Sequence, residues 1–148
     1  MQLYKKLLLM IDDLLNKKLE IIVGFPRNKT RTYPSDDRKG RSNKGGQTVA
    51  QVARINEYGK GKTPSRPFLR TALAKNRQRI NNAVLKFYLG QVSADAIGVM
   101  LKNMVVDSIM NGNWKPNAPS TIALKGSDRP LVDRAIMKNS IAYEIKIT

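Results

Sequence analysis

The stretch that decides the fold runs from residue 67 to residue 112, PFLRTALAKNRQRINNAVLKFYLGQVSADAIGVMLKNMVVDSIMNG. It carries two helical patterns with a break between them. Proline suits a first-turn position because its missing N–H would be unpaired there anyway. A long helix is therefore expected from near Pro67, through Leu69, Leu73, Ile80, Val84, Leu85 and Tyr88, to near Gly90. Ser93 is a good N-cap for a second helix. Its apolar residues Ile97, Met100, Leu101, Met104, Val105, Ile109 and Met110 recur at three- and four-residue spacings up to Asn111-Gly112. The connection is only a few residues, so the two helices are predicted to pack as an antiparallel hairpin.

Working outward, Leu19 to Phe25 reads as a strand, with β-branched Ile21, Ile22 and Val23 closed off by Gly24 and Pro26. Near the other end, Ile141, Tyr143, Ile145 and Ile147 alternate with Ala142, Glu144 and Lys146, which predicts a closing strand over Ser140 to Ile147. Thr48 is placed to cap a short helix, Val49 to Glu57, that offers Val52, Ala53 and Ile55 to the core and stops at Tyr58-Gly59. A helix is also predicted over Gln2 to Lys18. Residues 60 to 67 read as a loop, 113 to 129 as irregular chain, and Asp133 to Met137 as a helical turn. The expected class is α+β: one domain over residues 1–148, with a small antiparallel sheet packed against a helical hairpin.

Residues 27 to 46 stand apart. Seven basic side chains (Arg27, Lys29, Arg31, Arg38, Lys39, Arg41 and Lys44) face two acidic ones, Asp36 and Asp37. Almost nothing apolar accompanies them, so a long basic loop or extended hairpin is expected, available to DNA phosphates or an acidic partner. A second basic group comprises Arg54, Lys60, Lys62, Arg66, Arg70, Lys75, Arg77 and Arg79, opposed only by Glu57. Arg66, Arg70 and Arg77 are predicted to share one helix face.

The composition narrows the chemistry. Lys and Arg number 27 against 11 Asp and Glu, a net charge of +16, which favours polyanionic partners. The absence of cysteine excludes disulfides and thiolate metal sites. The absence of histidine removes the commonest general base and metal ligand. Asp12-Asp13 and Asp36-Asp37 make poor cation sites, the first because neighbouring helix residues diverge, the second because Arg38 and Lys39 compete. Gly40, Lys44, Gly45 and Gly46 lack the order of a phosphate-binding loop. Binding without catalysis, metal or cofactor is therefore expected. The apolar run from Leu7 to Leu15 is interrupted by Asp12 and Asp13 and is too short for a membrane span. With no leader-like segment, the chain is expected to be made in the cytoplasm and to have no membrane partner. Trp114, the only tryptophan, reads as an interface anchor or, preferably, as a core plug beneath a loop.

Two blocks, Val49 to Leu73 and Trp114 to Tyr143, resemble the tail-completion and virion-morphogenesis proteins of tailed bacteriophages, including their minor tail components. In the first block the resemblance rests on Asn56, Glu57, Tyr58 and Gly59, followed by Pro64, Ser65, Arg66, Pro67 and Phe68. In the second it rests on Trp114, Pro116, Pro119 and Thr121, then Lys125-Gly126 and Pro130 to Asp133. After Asp133 the family has Thr-Gly, where this chain has Arg134-Ala135. The resemblance implies a structural virion protein without catalytic residues, sited at the tail end or head–tail junction. It also implies a cyclic homo-oligomer that contacts tail, tail-terminator or connector proteins, and nonspecifically the DNA in the channel. Within it, Phe68 is expected to be buried, and Arg66 to pair with Glu57 or with a neighbouring subunit. The alternative is a free nucleic-acid-binding regulatory or packaging factor. A carboxylate-dependent nuclease is a third, remoter class.

Overall fold

The computed structural model describes residues 16–26, 47–125, 131 and 136–148. The helix expected over residues 2–18 and the basic loop at 27–46 lie outside the described residues, apart from the first segment's last few positions. The described chain is α+β. It runs β1 (Leu19–Gly24), α1 (Val49–Tyr58), α2 (Phe68–Lys75), α3 (Arg77–Tyr88), α4 (Ala94–Asn111), α5 (Pro119–Lys125), α6 (Ile136–Asn139) and β2 (Ala142–Ile147).

The strands pair antiparallel, from Leu19 opposite Ile147 to Gly24 opposite Ala142. Reciprocal backbone bonds between Lys18 and Thr148, 2.8 and 3.1 Å, extend the ladder by one pair. Alternation turns Leu19, Ile21 and Val23 inward and leaves Glu20 and Ile22 exposed. Exposed Glu20 and exposed Lys146, of opposite charge, stand in register on the outer face. Two strands alone are marginal in water, so the sheet depends on what covers it.

That cover is α4, which touches both strands, α2, α3 and α6. It is capped as its sequence predicts: Ser93 Oγ accepts from the Ala96 N–H at 3.1 Å, and Asp95 sits in the positive first turn. Along α4, Ile97, Leu101 and Met104 form one apolar cluster with Leu19, Ile21, Ile80, Ala83 and Phe87. Val105 and Ile109 form another with Val49, Ala53, Phe68, Ala72, Leu131, Met137 and Ile141. Between the clusters and the sheet sits Gly98, buried mid-helix, where glycine ordinarily costs about 1 kcal/mol relative to alanine. The ring of Tyr143 from β2 lies directly on its backbone, so a Cβ there would collide with the ring. The Tyr143 hydroxyl donates to Asp95 Oδ1 at 2.7 Å. This hydrogen bond, with burial and the aspartate's charge, raises the Tyr143 pKa above its ordinary value.

The structure revises three expectations. The helix expected from Pro67 to Gly90 is two helices, because the Asn76 side chain donates its Nδ2 to the Ala72 carbonyl at 2.8 Å. The Asn76 N–H shares that oxygen at 3.3 Å, and the backbone opens to φ −105° and ψ 13°. The two arms still fold back on α4. Tyr88, at the end of α3, bridges to the sheet by accepting from the Leu19 N–H at 3.3 Å and donating to the Lys17 carbonyl at 3.0 Å. Secondly, the stretch expected to be irregular holds α5, because Pro119 opens a helix there instead of interrupting chain. Thirdly, the expected helical turn falls at Ile136–Asn139; its residues 133–135 lie outside the described residues. Among the described residues, no helix is long and apolar enough to cross a membrane.

Gly98→Ala should lower stability by about 1–3 kcal/mol in denaturant titration, reversing the usual sign of a helical glycine-to-alanine change. The same substitution in a Tyr143→Ala background should lose most of that penalty. The raised Tyr143 pKa also sets a pH dependence. Its contribution is fully present below the unfolded value of about 10 and fades as pH climbs through the folded value. An Asp95→Asn variant should bring the Tyr143 titration, followed by its ultraviolet phenolate band, back to lower pH.

Candidate interface built on Arg66 and Glu57

Helix α1 begins with a full capping box: Thr48 Oγ1 accepts from the Gln51 N–H at 3.2 Å, and Gln51 Oε1 accepts from the Thr48 N–H at 2.9 Å. It ends where Gly59 donates its N–H to the Ile55 carbonyl at 2.7 Å. Gly59 has φ 77° and ψ 154°, a region open essentially to glycine alone. A Cβ there would also lie 3.0 Å from the Ser65 nitrogen and 3.1 Å from the Thr63 oxygen. The chain then reverses through Lys60–Thr63, closed by reciprocal backbone bonds of 3.1 and 3.0 Å with exposed Gly61 and Lys62 at the tip.

Pro67 follows with φ −75° and ψ 62°, and the Phe68 N–H reaches the Arg66 carbonyl at 2.7 Å, an inverse γ-turn. As the N-cap of α2, Pro67 has no side-chain acceptor to offer the first amides. Glu57 supplies it from the end of α1. Its Oε2 accepts from the Leu69 N–H at 2.9 Å and its Oε1 from the Arg70 N–H at 3.1 Å. A carboxylate at a helix N-terminus meets both the free donors and the positive end of the dipole, which explains why a glutamate only 4 % exposed is retained here. Arg70 closes the arrangement, with Nε 2.9 Å from Glu57 Oε1 and Nη2 3.0 Å from the Glu57 carbonyl. Its guanidinium also lies over the ring of Tyr58, 4.8 Å from the centroid.

Arg66 is 4 % exposed and held entirely by neutral acceptors. Nε donates to the Lys115 carbonyl at 2.8 Å and Nη1 to Asn56 Oδ1 at 3.1 Å. Nη2 donates to the Pro116 carbonyl at 3.1 Å and to Asn117 Oδ1 at 3.2 Å. Burial pushes its pKa down, but arginine starts so far above neutrality that it stays charged. The Asn117 amide, 8 % exposed, keeps its Nδ2 without a hydrogen-bond partner, and its orientation serves the arginine. The segment that supplies these acceptors is held by half-buried Trp114, whose Nε1 donates to the Ser108 carbonyl at 2.9 Å. Ser108 Oγ in turn donates to the Phe68 carbonyl at 2.8 Å.

The structure thus brings Glu57, Arg66, Pro67, Phe68, Trp114 and Pro116 together. Phe68 is buried as expected, and Trp114 packs as a plug against the core. Tyr58 and Gly59 border the group. Pro64 is half-buried in the strap over Gly59, while exposed Pro119 starts α5. Asp133 and the basic residues Arg27, Lys29, Arg31, Arg38, Lys39, Arg41 and Lys44 lie outside the described residues.

Two expectations fail. Arg66 does not pair with Glu57, because the carboxylate is committed to the α2 amides and to Arg70. Nor do Arg66, Arg70 and Arg77 share a helix face: Arg66 is buried ahead of α2, and Arg77 lies beyond the break at Asn76. The sequence reading also missed Arg70 as the partner of Glu57 and Asn117 as a ligand of Arg66. A proline at an N-cap, with no Ser, Thr, Asp or Asn to replace it, was the signal that a remote acceptor caps α2. Among the described residues, no group of three or more Asp, Glu, His or Cys could hold a metal ion.

Glu57→Ala should destabilise the fold by roughly 2 kcal/mol in chemical denaturation, with the amides of Leu69 and Arg70 losing hydrogen-exchange protection. Arg66→Lys keeps the charge but lacks the planar fork, and should still cost about 2 kcal/mol or more by the same measurement. Equal stability of Arg66→Lys and the parent would contradict the assignment. No protein-family model, curated protein or solved structure matches the chain.

Proposed function

We propose that the chain is a structural virion protein of a tailed bacteriophage, completing the tail or joining it to the head–neck by binding and without catalysis. The observation that carries this reading is the convergence of the two sequence blocks behind the resemblance. Residues about fifty positions apart meet at Arg66, whose Nε bond to Lys115 spans a separation of 49. The Arg66 guanidinium is spent on carbonyl and amide oxygens of both blocks, as suits a brace that holds a surface in shape. The outer side of that brace is basic: Lys60, Lys62 and Arg70 are exposed around it.

In this reading several copies sit in a ring around the axial channel, each touching its neighbour with a different face. At +16 per chain, such a ring repels itself unless its charge is neutralised. The seven basic residues between 27 and 46 are the natural contacts to an acidic neighbouring protein or to channel DNA.

Two measurements test the proposal. Quantitative mass spectrometry of purified particles should count this chain at a small, fixed, ring-like number relative to the portal protein. Absence from mature particles would overturn the virion role in favour of a free nucleic-acid-binding factor. Reversing the seven loop charges should abolish particle yield while leaving the isolated chain's thermal unfolding unchanged; normal yield would refute the assigned role of that segment.

A further inference from the structure

Helix α1 has a second face. Opposite the buried Val49, Ala53 and Glu57, the residues Gln51, Arg54, Ile55 and Tyr58 fall at positions i, i+3, i+4 and i+7 and form one outward stripe. With Gln47 and Lys60 they line an open groove of about 670 Å³, and none of the described residues lining it is acidic. Tyr58 is 63 % exposed. Its ring is already oriented, because Arg70 lies on it and is itself fixed by buried Glu57. Tyr58 itself lines the groove, whereas Arg70 is not among the described residues that do. Arg54 and Lys60 make no ion pair among the described residues.

We propose that this groove binds single-stranded nucleic acid, with one unpaired base stacked on Tyr58 and the flanking phosphates on Arg54 and Lys60. An exposed, pre-oriented ring beside unpaired cations is the arrangement that accepts any base without reading its sequence. Gln47 adds an amide donor and acceptor along the strand's path, and Gln51, whose Oε1 serves the capping box, adds its amide donors. An acidic peptide would satisfy the cations but leave the ring face unused. A duplex would offer phosphates only, since its bases are stacked inside. The inference goes beyond the virion reading and does not depend on it.

The test is fluorescence anisotropy of a labelled twelve-nucleotide oligo-dT titrated with the full chain. Because a chain of this charge binds any polyanion, differences between variants carry the answer. Tyr58→Ala should weaken oligo-dT binding by between about fivefold and a hundredfold, while Tyr58→Phe stays within about twofold of the parent. The joint Arg54→Ala and Lys60→Ala change should reduce the salt slope by about 1.4 for two lost phosphate contacts. An abasic strand of equal length should bind the parent as weakly as oligo-dT binds Tyr58→Ala. A duplex should not distinguish Tyr58→Ala from the parent. Unchanged oligo-dT affinity in Tyr58→Ala, with tryptophan emission from Trp114 confirming the fold, would overturn the proposal. So would equal binding of the abasic strand, or equally effective competition by a poly-glutamate of the same charge.

Discussion

A charged guanidinium buried among four neutral acceptors holds the centre of this molecule. Arg66 could not be taken out of water at tolerable cost unless its donors were matched in direction as well as number. The planar fork meets two consecutive backbone carbonyls, Lys115 and Pro116, and two amide oxygens, Asn56 and Asn117. A lysine or a lone carboxylate could not substitute for that geometry. Because the acceptors come from the end of α1 and from the segment beyond α4, the arginine fixes two distant parts of the chain relative to each other. The neighbouring Glu57 fixes a third, by capping α2 across the same strap.

From that knot the rest follows by packing. Once α2 starts in the right place, Phe68 drops into the cluster shared with Val105 and Ile109, and Ser108 confirms the seating by bonding its carbonyl. Helix α4 then presents its length to the two strands that close the described chain. Gly98 lets the Tyr143 ring come down onto bare backbone, trading helix propensity for closer sheet packing. The result is a frame whose buried charges, Arg66 and Glu57, are held by its own bonds.

Much of this frame is legible in the sequence, and the reasons for the gaps are specific. Thr48 and Ser93 announce α1 and α4 because caps are local chemistry, and the alternation through Tyr143 and Ile145 announces β2 because its period is local too. The break at Asn76 is not legible, since it turns on whether one amide side chain bonds its own turn. Ile55 sits among residues expected in the core but lines the outer groove instead; a ten-residue helix leaves its apolar face ambiguous by a position. At the candidate site, the structure brings Glu57, Arg66, Pro67, Phe68, Trp114 and Pro116 together. Their pairing was misread because the true acceptors of Arg66 are mostly backbone carbonyls and neutral amides, which leave no charge pattern to follow.

The binding reading rests on Arg66 being a permanently seated brace rather than a surface cation. The most direct measurement is proton exchange at the Arg66 Nε–H by nitrogen-15 NMR of the intact chain near neutral pH. A seated Arg66 gives a resolved Nε–H resonance that persists for minutes or longer after transfer to D₂O, while that of Arg70, exposed on its outer side, disappears faster. An Arg66 Nε–H that exchanges as quickly as those of the exposed arginines would contradict the account at its centre.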